Sequence, residues 1–252
     1  MGYAEFELDI PEVMRQELPK YFDQLTSESL TPENISKIPA SAQGAYMLFL
    51  KEQLVYIGKT DAEAGFRNRL TRHLYNVQHR RNLDPIDIHF KAVRIFVFSN
   101  FDLETMLIGE YEKRSGRPIW NFSGFGSNDP GRNRESQASA KFDLDYPVDI
   151  DRKIEFVGLG EYELLQAILQ LKAGLPYLFR YDTQGRDYRR GHPEMESKKI
   201  AIPIEPTTRT ILRIILSSLP PDWQATVLPN RVILYKEKHD YAEQVDVLRR
   251  LS

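Results

Sequence analysis

The chain has 252 residues, of which 41% are hydrophobic, and this length allows one sizeable core or two smaller ones. Its formal net charge of −2 excludes a globally basic nucleic-acid-binding protein, so any surface for a nucleic acid must be a local patch. The absence of cysteine excludes disulfide bonds and thiolate metal sites, and no apolar run approaches the length of a membrane span.

The N-terminal segment, residues 1–43, is acidic and interrupted by prolines. It begins MGYAEFELDI, which lacks the basic and apolar regions of a signal peptide, so we expect a cytoplasmic protein with no membrane partner. Short helices are predicted over 11–25 and from Thr31-Pro32-Glu33, since proline is favoured at the first helical position. We interpret this segment as an N-terminal arm that packs on the unit after it.

A β-hairpin is predicted next, in the stretch GAYMLFLKEQLVYIGKT, with strands over 45–50 and 54–58. A helix follows over 66–79, where Leu70, Leu74 and Val77 form an apolar stripe. The β-branched and aromatic run at 88–98 predicts a central strand, and a second helix is predicted over 101–114.

The segment 121–151 is rich in Gly, Asn, Ser, Asp and Pro and predicts a long loop, a class of loop that is usually functional or disordered. We place a domain boundary near residue 150, which leaves 44–150 as one domain and 154–252 as a C-terminal α+β region of unknown role. In that region the predicted helices are 160–173, 207–218 and 240–250, and the predicted strands are 177–182, 199–204, 225–228 and 231–236.

Several polar and aromatic residues of the segment 44–121 are candidates for a functional site. Arg69 and His73 are four residues apart and project from one face of the first helix. Taken singly, each such residue has an ordinary interpretation, a packing tyrosine or a solvated helix charge. The full ordered set is Tyr46, Tyr56, Lys59, Arg69, His73, Glu104 and Asn121.

This set resembles the GIY-YIG nuclease family over residues 44–121. The tyrosines fill the positions of the family's two triplets, with Ala45 in place of the isoleucine of the first. Glu104 precedes a Leu-Ile pair, as the family's glutamate does, whereas the competing Glu110 and Glu112 do not. The resemblance implies an α+β fold with a small mixed or antiparallel sheet flanked by helices, and a metal-dependent endonuclease.

The residue types fit the hydrolysis of a phosphodiester, which needs an activated water and stabilisation of charge on the phosphate. Glu104 is a hard oxygen ligand suited to Mg²⁺, for which Mn²⁺ can substitute. Arg69 can hold phosphate oxygens in a bidentate fork. We assign Tyr46 as the general base, its pKa lowered by neighbouring cations such as a protonated His73.

The remaining roles in this set are less specific. Tyr56 and Lys59 join His73 as activators of Tyr46 or as phosphate ligands. Asn121 follows the Pro118-Ile119-Trp120 segment, as the family's asparagine follows a proline, and is included among the catalytic residues.

The loop after Asn121 resembles that of type II restriction endonucleases in this family, which are associated with GC-rich palindromes. A palindromic site implies double-stranded DNA as substrate and a two-fold symmetric homodimer. Arg132 and Arg134 on this loop are candidates for contacts to guanines or phosphates. Arg189 and Arg190 form a second basic cluster, for which a solvated loop is an equal alternative.

Two other classes stay open at this point. One is a structure-specific repair or mobile-element nuclease with the same catalytic module, and the other is a non-catalytic DNA-binding module. The intact set of tyrosine, arginine, glutamate and asparagine argues against the second class. The sequence does not determine the recognition site, the cut position or the polarity of the ends.

Overall fold

The structure is a computed structural model and describes residues 2–5, 9–60, 65–96, 102–126, 135–183, 185 and 190–250. Its helices are α1 (Ile10–Gln24), α2 (Pro32–Ser36), α3 (Gly65–Val77), α4 (Leu103–Ser115), α5 (Lys141–Asp145), α6 (Leu164–Gly174) and α7 (Thr208–Ser218). Its strands are β1 (Glu28–Ser29), β2 (Gly44–Leu50), β3 (Gln53–Lys59), β4 (Ile88–Arg94), β5 (Gly160–Glu163), β6 (Leu178–Tyr181), β7 (Lys199–Ile202), β8 (Gln224–Leu228), β9 (Arg231–Tyr235) and β10 (Asp246–Arg249).

The chain forms two compact units. The first unit comprises Met1–Tyr75 and Asp84–Phe125, and the second comprises Asn76–Leu83 and Gly126–Ser252. The sequence placed a boundary near residue 150, whereas this division falls after Phe125. The proposed functional roles of the arm, the catalytic domain and the C-terminal region stay predictions.

An antiparallel sheet in the order β1-β4-β2-β3 is the frame of the first unit. The hairpin between β2 and β3 turns at Lys51, whose backbone φ of 57° lies in the left-handed region. Because β2 lies between two partners, its residues from Gly44 to Leu48 are all buried. β3 is an edge strand of this sheet, so one side of its backbone needs partners from outside the sheet.

The two faces of this sheet are covered by different helices. Met47 and Ile57 point to one face and pack in an apolar cluster with residues of α1 and α4, among them Phe22 and Leu107. Tyr46 points to the opposite face because side chains alternate along a strand. Phe66 of α3 contacts it there, ring to edge, with the centroids 6.3 Å apart.

A second sheet, in the order β10-β8-β9-β6, organises the second unit. β6 and β9 are parallel and the other neighbours antiparallel, while β5 pairs separately with β7. Thr207 caps α7, since its side chain accepts a hydrogen bond from Thr210 N at 3.1 Å. The apolar residues of α6 and α7 enter the core of this unit: Leu164, Ala167, Ile168, Leu171, Ile211, Leu212, Ile215 and Leu216.

The α+β class predicted from the sequence is confirmed, and one predicted helix is wrong. The segment 240–250 forms no helix, and its residues Asp246–Arg249 are strand β10. β10 pairs antiparallel with β8, and Leu248 enters the core. Val245 and Val247 are β-branched, so the open edge of β8 overrides a weak helical pattern in this segment.

Three other predicted elements change their bounds. The first four residues of the predicted helix 160–173 are strand β5, because they pair with β7. The strand predicted over 88–98 ends at Arg94, and its residues 97 and 98 lie outside the described residues. The predicted loop 121–151 contains helix α5, which buries Phe142. None of the helices in the described part of the chain is both long and apolar enough to cross a membrane.

Candidate active site

The central tyrosine of the first unit is Tyr46 on β2, whose side chain is 1% exposed. Across the sheet it pairs with Gly58 on β3 and Ala92 on β4, and these small residues leave room for its ring. A Cβ atom at Gly58 would lie 2.5 Å from the Tyr46 hydroxyl oxygen. The glycine of the second triplet is therefore required by the close approach of the first tyrosine.

Tyr46 forms a hydrogen bond to a histidine on the neighbouring helix. Its hydroxyl oxygen lies 2.7 Å from His73 Nε2. His73 is one helical turn beyond Arg69 on α3 and is 4% exposed. This bond joins two residues that the sequence predicted as site residues but could not place in contact.

The protonation states follow from burial. Burial raises the pKa of Tyr46, and the neighbouring Tyr56 raises it further, while Arg69 lowers it. Burial lowers the pKa of His73 to about 3, with Arg69 and Arg72 lowering it further. His73 is therefore neutral near pH 7, and the expectation that a protonated His73 lowers the pKa of Tyr46 is wrong. The buried pair consists of a protonated tyrosine and a neutral imidazole.

Tyr56 lies on the same face of the sheet as Tyr46, with the ring centroids 6.0 Å apart. Burial and then Glu104 raise its pKa, whereas Arg69 and Arg72 lower it. Arg69 Nε is buried and has no hydrogen-bond partner among the described residues. An arginine at the edge of a tyrosine cluster with an unused donor is suited to binding an anion.

Glu104 is in the first turn of α4, where the helix dipole favours a carboxylate. Burial raises the pKa of its carboxyl, while Lys59 and Arg69 lower it and Asp102 raises it. The Lys59 backbone N–H also lowers this pKa. The Lys59 side chain is paired elsewhere, since its Nζ lies 3.1 Å from Asp102 Oδ1. The positive charge of Lys59 thus lies near Glu104 and is offset by the carboxylate of Asp102.

The donor set fits a hard divalent cation. Glu104 offers a single carboxylate, and among the described residues no three His, Asp or Glu side chains converge on one point. One carboxylate, water molecules and a substrate phosphate are the ligands that Mg²⁺ prefers. The competing carboxylates are paired at the surface, Glu110 with Lys113 at 3.2 Å and Glu112 with Arg117 at 3.7 Å.

Asn121 holds the edge strand β3. Its Oδ1 accepts a hydrogen bond from Ile57 N at 2.8 Å, and its Nδ2 donates to Ile57 O at 2.7 Å. Both polar atoms of the Asn121 amide thereby form hydrogen bonds with the backbone of Ile57, the residue after Tyr56. This geometry gives Asn121 a positioning role on the strand that carries Tyr56 and Gly58.

Two further residues at the site were missed as candidates by the sequence reasoning. Arg72 is close enough to His73 and Tyr56 to shift both of their pKa values, and it lies one turn from Asn68 on the exposed side of α3. Phe125 stacks on His73 with the ring centroids 4.9 Å apart. The two glycines that flank Phe125 could have pointed to it as a residue held in a defined direction, but in the sequence they indicated only a turn.

The structure describes one of the four predicted DNA-contacting residues. Arg132, Arg134 and Arg189 lie outside the described residues, and Arg190 is exposed in the second unit. Their contacts to DNA remain predictions.

Comparison with known proteins identifies one family. Residues 51–149 match the model of the Eco29kI GIY-YIG domain. The matched segment contains six of the seven predicted catalytic residues, from Tyr56 to Asn121, and begins five residues after Tyr46. A search of curated proteins found no match.

Proposed function

We propose that the chain is a type II-like restriction endonuclease, because residues 51–149 match a GIY-YIG domain of the restriction-endonuclease type, the domain of a nuclease that acts on DNA. It hydrolyses phosphodiester bonds of double-stranded DNA at a specific palindromic, GC-rich site in the presence of Mg²⁺, for which Mn²⁺ can substitute. The observation that carries this proposal is the buried hydrogen bond between Tyr46 and His73, with Arg69 and Glu104 beside it.

Tyr46 and His73 activate the water as a proton relay. Burial keeps Tyr46 protonated and His73 neutral, and the relay uses the tautomer with the proton on Nδ1, in which the Tyr46 hydroxyl donates to His73 Nε2. As water loses its proton to the Tyr46 oxygen, Tyr46 passes its own proton to His73. The hydroxide oxygen forms a bond to phosphorus, the bond from phosphorus to the leaving oxygen breaks, and solvent protonates that oxygen.

Arg69 and Arg72 bind the phosphate and adjust the relay. Both arginines lower the pKa of His73 in the absence of substrate. A phosphate between them neutralises their charge and so makes His73 a better proton acceptor. His73 therefore accepts a proton most readily when DNA is bound. Without substrate, the two arginines keep its pKa low and so limit proton uptake.

Glu104 is the residue that holds the divalent metal. The metal supplies Lewis-acid stabilisation of the charge on the phosphate and the leaving oxygen. The helix dipole of α4 and the nearby charge of Lys59 favour the ionised Glu104 carboxylate. Asn121 and Ile57 fix β3, so that the Tyr56 ring bounds the same site.

A palindromic site further implies that the active species is a two-fold symmetric homodimer. Arg132, Arg134, Arg189 and Arg190 are proposed as DNA-binding residues. A cytoplasmic location remains a prediction from composition.

The proposal is tested by digestion of a plasmid of defined sequence with the full chain and Mg²⁺. We expect discrete fragments with uniform ends, and their loss in Glu104→Gln but not in the matched control Glu112→Gln, whose carboxylate is paired with Arg117. Cleavage that depends on branched or flapped DNA would instead indicate a repair nuclease. Binding without cleavage would indicate a DNA-binding module, and undiminished cleavage by Glu104→Gln would refute the metal assignment.

A further inference from the structure

The first unit ends at Phe125, which lies in a turn between Gly124 and Gly126. Both glycines have left-handed backbone conformations, with φ of 76° at Gly124 and 71° at Gly126. Side chains other than glycine rarely adopt this conformation, so a residue flanked by two such glycines has its direction set by the backbone. The Phe125 side chain points into the first unit and is only 8% exposed.

Phe125 lies against the aromatic and imidazole rings of the site. Its ring is stacked on His73, with an interplanar angle of 17° and a centroid distance of 4.9 Å. It meets the Tyr56 ring edge-on at 5.4 Å, and the buried Trp120 supports it at 4.8 Å. Phe125 therefore covers one face of the imidazole and leaves its edge, with Nε2, to Tyr46.

His73 has few other means of orientation. Histidines that act in proton transfer commonly donate their second ring nitrogen to a carboxylate or carbonyl, which fixes the ring plane. Here His73 Nδ1 is buried and has no hydrogen-bond partner among the described residues. The hydrogen bond to Tyr46 fixes which edge of the imidazole faces the hydroxyl. The plane of the ring must then be held by packing.

We propose that Phe125 is a positioning residue that replaces this missing hydrogen bond: it clamps the His73 ring by stacking and keeps water from it, so that His73 stays an uncharged proton acceptor for Tyr46. The inference rests on the proposed function in its catalytic consequence, but the clamp itself is a property of the protein without DNA. Aromatic stacking of this kind is strong enough to favour one ring orientation several-fold.

The surroundings of His73 agree with this role. The groups that face it are Arg69 and Arg72 from its own helix, Tyr46 from β2 and Tyr56 from β3. Among these groups no carboxylate stabilises a protonated imidazole, and the two arginines disfavour it. The covered, dry environment that Phe125 completes acts in the same direction, since burial is the largest cause of the lowered pKa of His73.

The first test follows the titration of His73 by NMR in the full chain without DNA. The chain has five histidines, and the His73 signal is identified by its loss in His73→Gln. In the wild type we expect no titration of His73 above about pH 5. In Phe125→Ala we expect its titration midpoint to rise by at least about 1 pH unit as water enters.

Two further variants separate the clamp from simple packing. Phe125→Leu keeps apolar volume but lacks a flat ring, and we expect a smaller rise than in Phe125→Ala. Phe122→Ala is the matched control, because Phe122 belongs to the preceding turn and is 49% exposed. It should leave the His73 titration unchanged. If Phe125→Ala fails to fold, the leucine variant alone carries the test.

The second test measures single-turnover cleavage of plasmid DNA between about pH 6 and 8.5. We expect Phe125→Ala to lose more activity at pH 6 than at pH 8, by at most about fourfold, because a His73 whose pKa rises toward the ordinary value is partly protonated at the lower pH. A uniform loss at every pH, with an unchanged His73 titration, would overturn the inference and leave Phe125 as ordinary core. If the wild type cuts no DNA, the proposed function fails, while the NMR titration still decides on the clamp.

Discussion

Two buried arginine clusters, one in each unit, differ in how far their polar groups are satisfied. In the second unit Arg80 donates to Asp143 Oδ1 at 2.9 Å, to Tyr146 O at 3.0 Å and, through Nε, to Asn76 O at 3.0 Å. In the first unit, Arg69 Nε and His73 Nδ1 are buried with no partner among the described residues. The guanidinium of Arg80 thus donates to a carboxylate and to backbone carbonyls, whereas the buried Nε of Arg69 has no partner among the described residues.

The difference separates a structural cluster from a functional one. A buried donor without a partner costs about 1–3 kcal/mol, so it is retained where something other than stability requires it. The Arg80 cluster connects residues 76–83 to α5 within the second unit and has no need of a ligand. The site around Tyr46 is less satisfied, and the phosphate that we propose to bind at Arg69 would supply partners.

The largest effect is expected from Tyr46→Phe, which removes the hydroxyl of the relay and keeps the ring. We expect the single-turnover cleavage rate to fall about 10³- to 10⁴-fold, while the free energy of unfolding changes by only about 1 kcal/mol. Plasmid cleavage and urea unfolding measure the two quantities. Tyr21→Phe, at an exposed position on α1, should cleave like the wild type. A Tyr46→Phe rate within about tenfold of the wild type would contradict the relay.

The structural cluster should show the reverse pattern. Asp143→Ala leaves the Arg80 cation buried without its carboxylate, and we expect a loss of about 3–5 kcal/mol in the free energy of unfolding. The matched control is Asp145→Ala on the same helix, whose carboxylate is paired with Lys141 at the surface. That pair should contribute less than about 1 kcal/mol. Equal losses in the two variants, measured by urea unfolding, would remove the distinction between the clusters.

The sequence predicted the parts of the site that have local patterns. The hairpin, the helix α3 with its apolar stripe and the α4 helix all follow from periodicity, and the tyrosines, Arg69 and Glu104 follow from their order along the chain. Strand β10 was missed because its pairing with β8 is a tertiary contact that no local pattern records.

The chemical state of the site was also beyond the sequence. A histidine near two arginines and two tyrosines can be charged or neutral, and the burial of His73, more than the two arginines, favours the neutral form. Phe125 was missed because a single phenylalanine in a glycine-rich loop has no periodicity. Its partner His73 lies 52 positions earlier in the chain.

The neutral state of His73 predicts a pH dependence of stability. Its pKa is about 3 in the folded protein, below the ordinary value of 6.5, so the unfolded chain binds more protons between these values. Stability therefore falls as the pH drops below 6.5, by about 2 kcal/mol at pH 5 from this residue alone. Urea unfolding at pH 7 and pH 5 should show a smaller loss in His73→Gln than in the wild type. The exposed His239→Gln should behave as the wild type does, and an equal loss in all three proteins would refute the buried neutral His73.

The smallest effect is expected at Asn121, whose amide satisfies the backbone of Ile57 on the edge strand β3. Asn121→Ala removes both bonds, and since Ile57 is buried, we expect a loss of about 1–2 kcal/mol in the free energy of unfolding. Cleavage should fall modestly, by about tenfold, because Tyr56 is then held less firmly. This combination distinguishes positioning from chemistry: a residue that touches the reacting phosphate would lose far more rate than stability, as Tyr46→Phe does. If Asn121→Ala abolished cleavage and left the unfolding curve unchanged, the positioning role would be contradicted. The Asn121 amide of the wild type would then have to leave Ile57 and contact the substrate during the reaction, and other contacts would have to hold the edge strand.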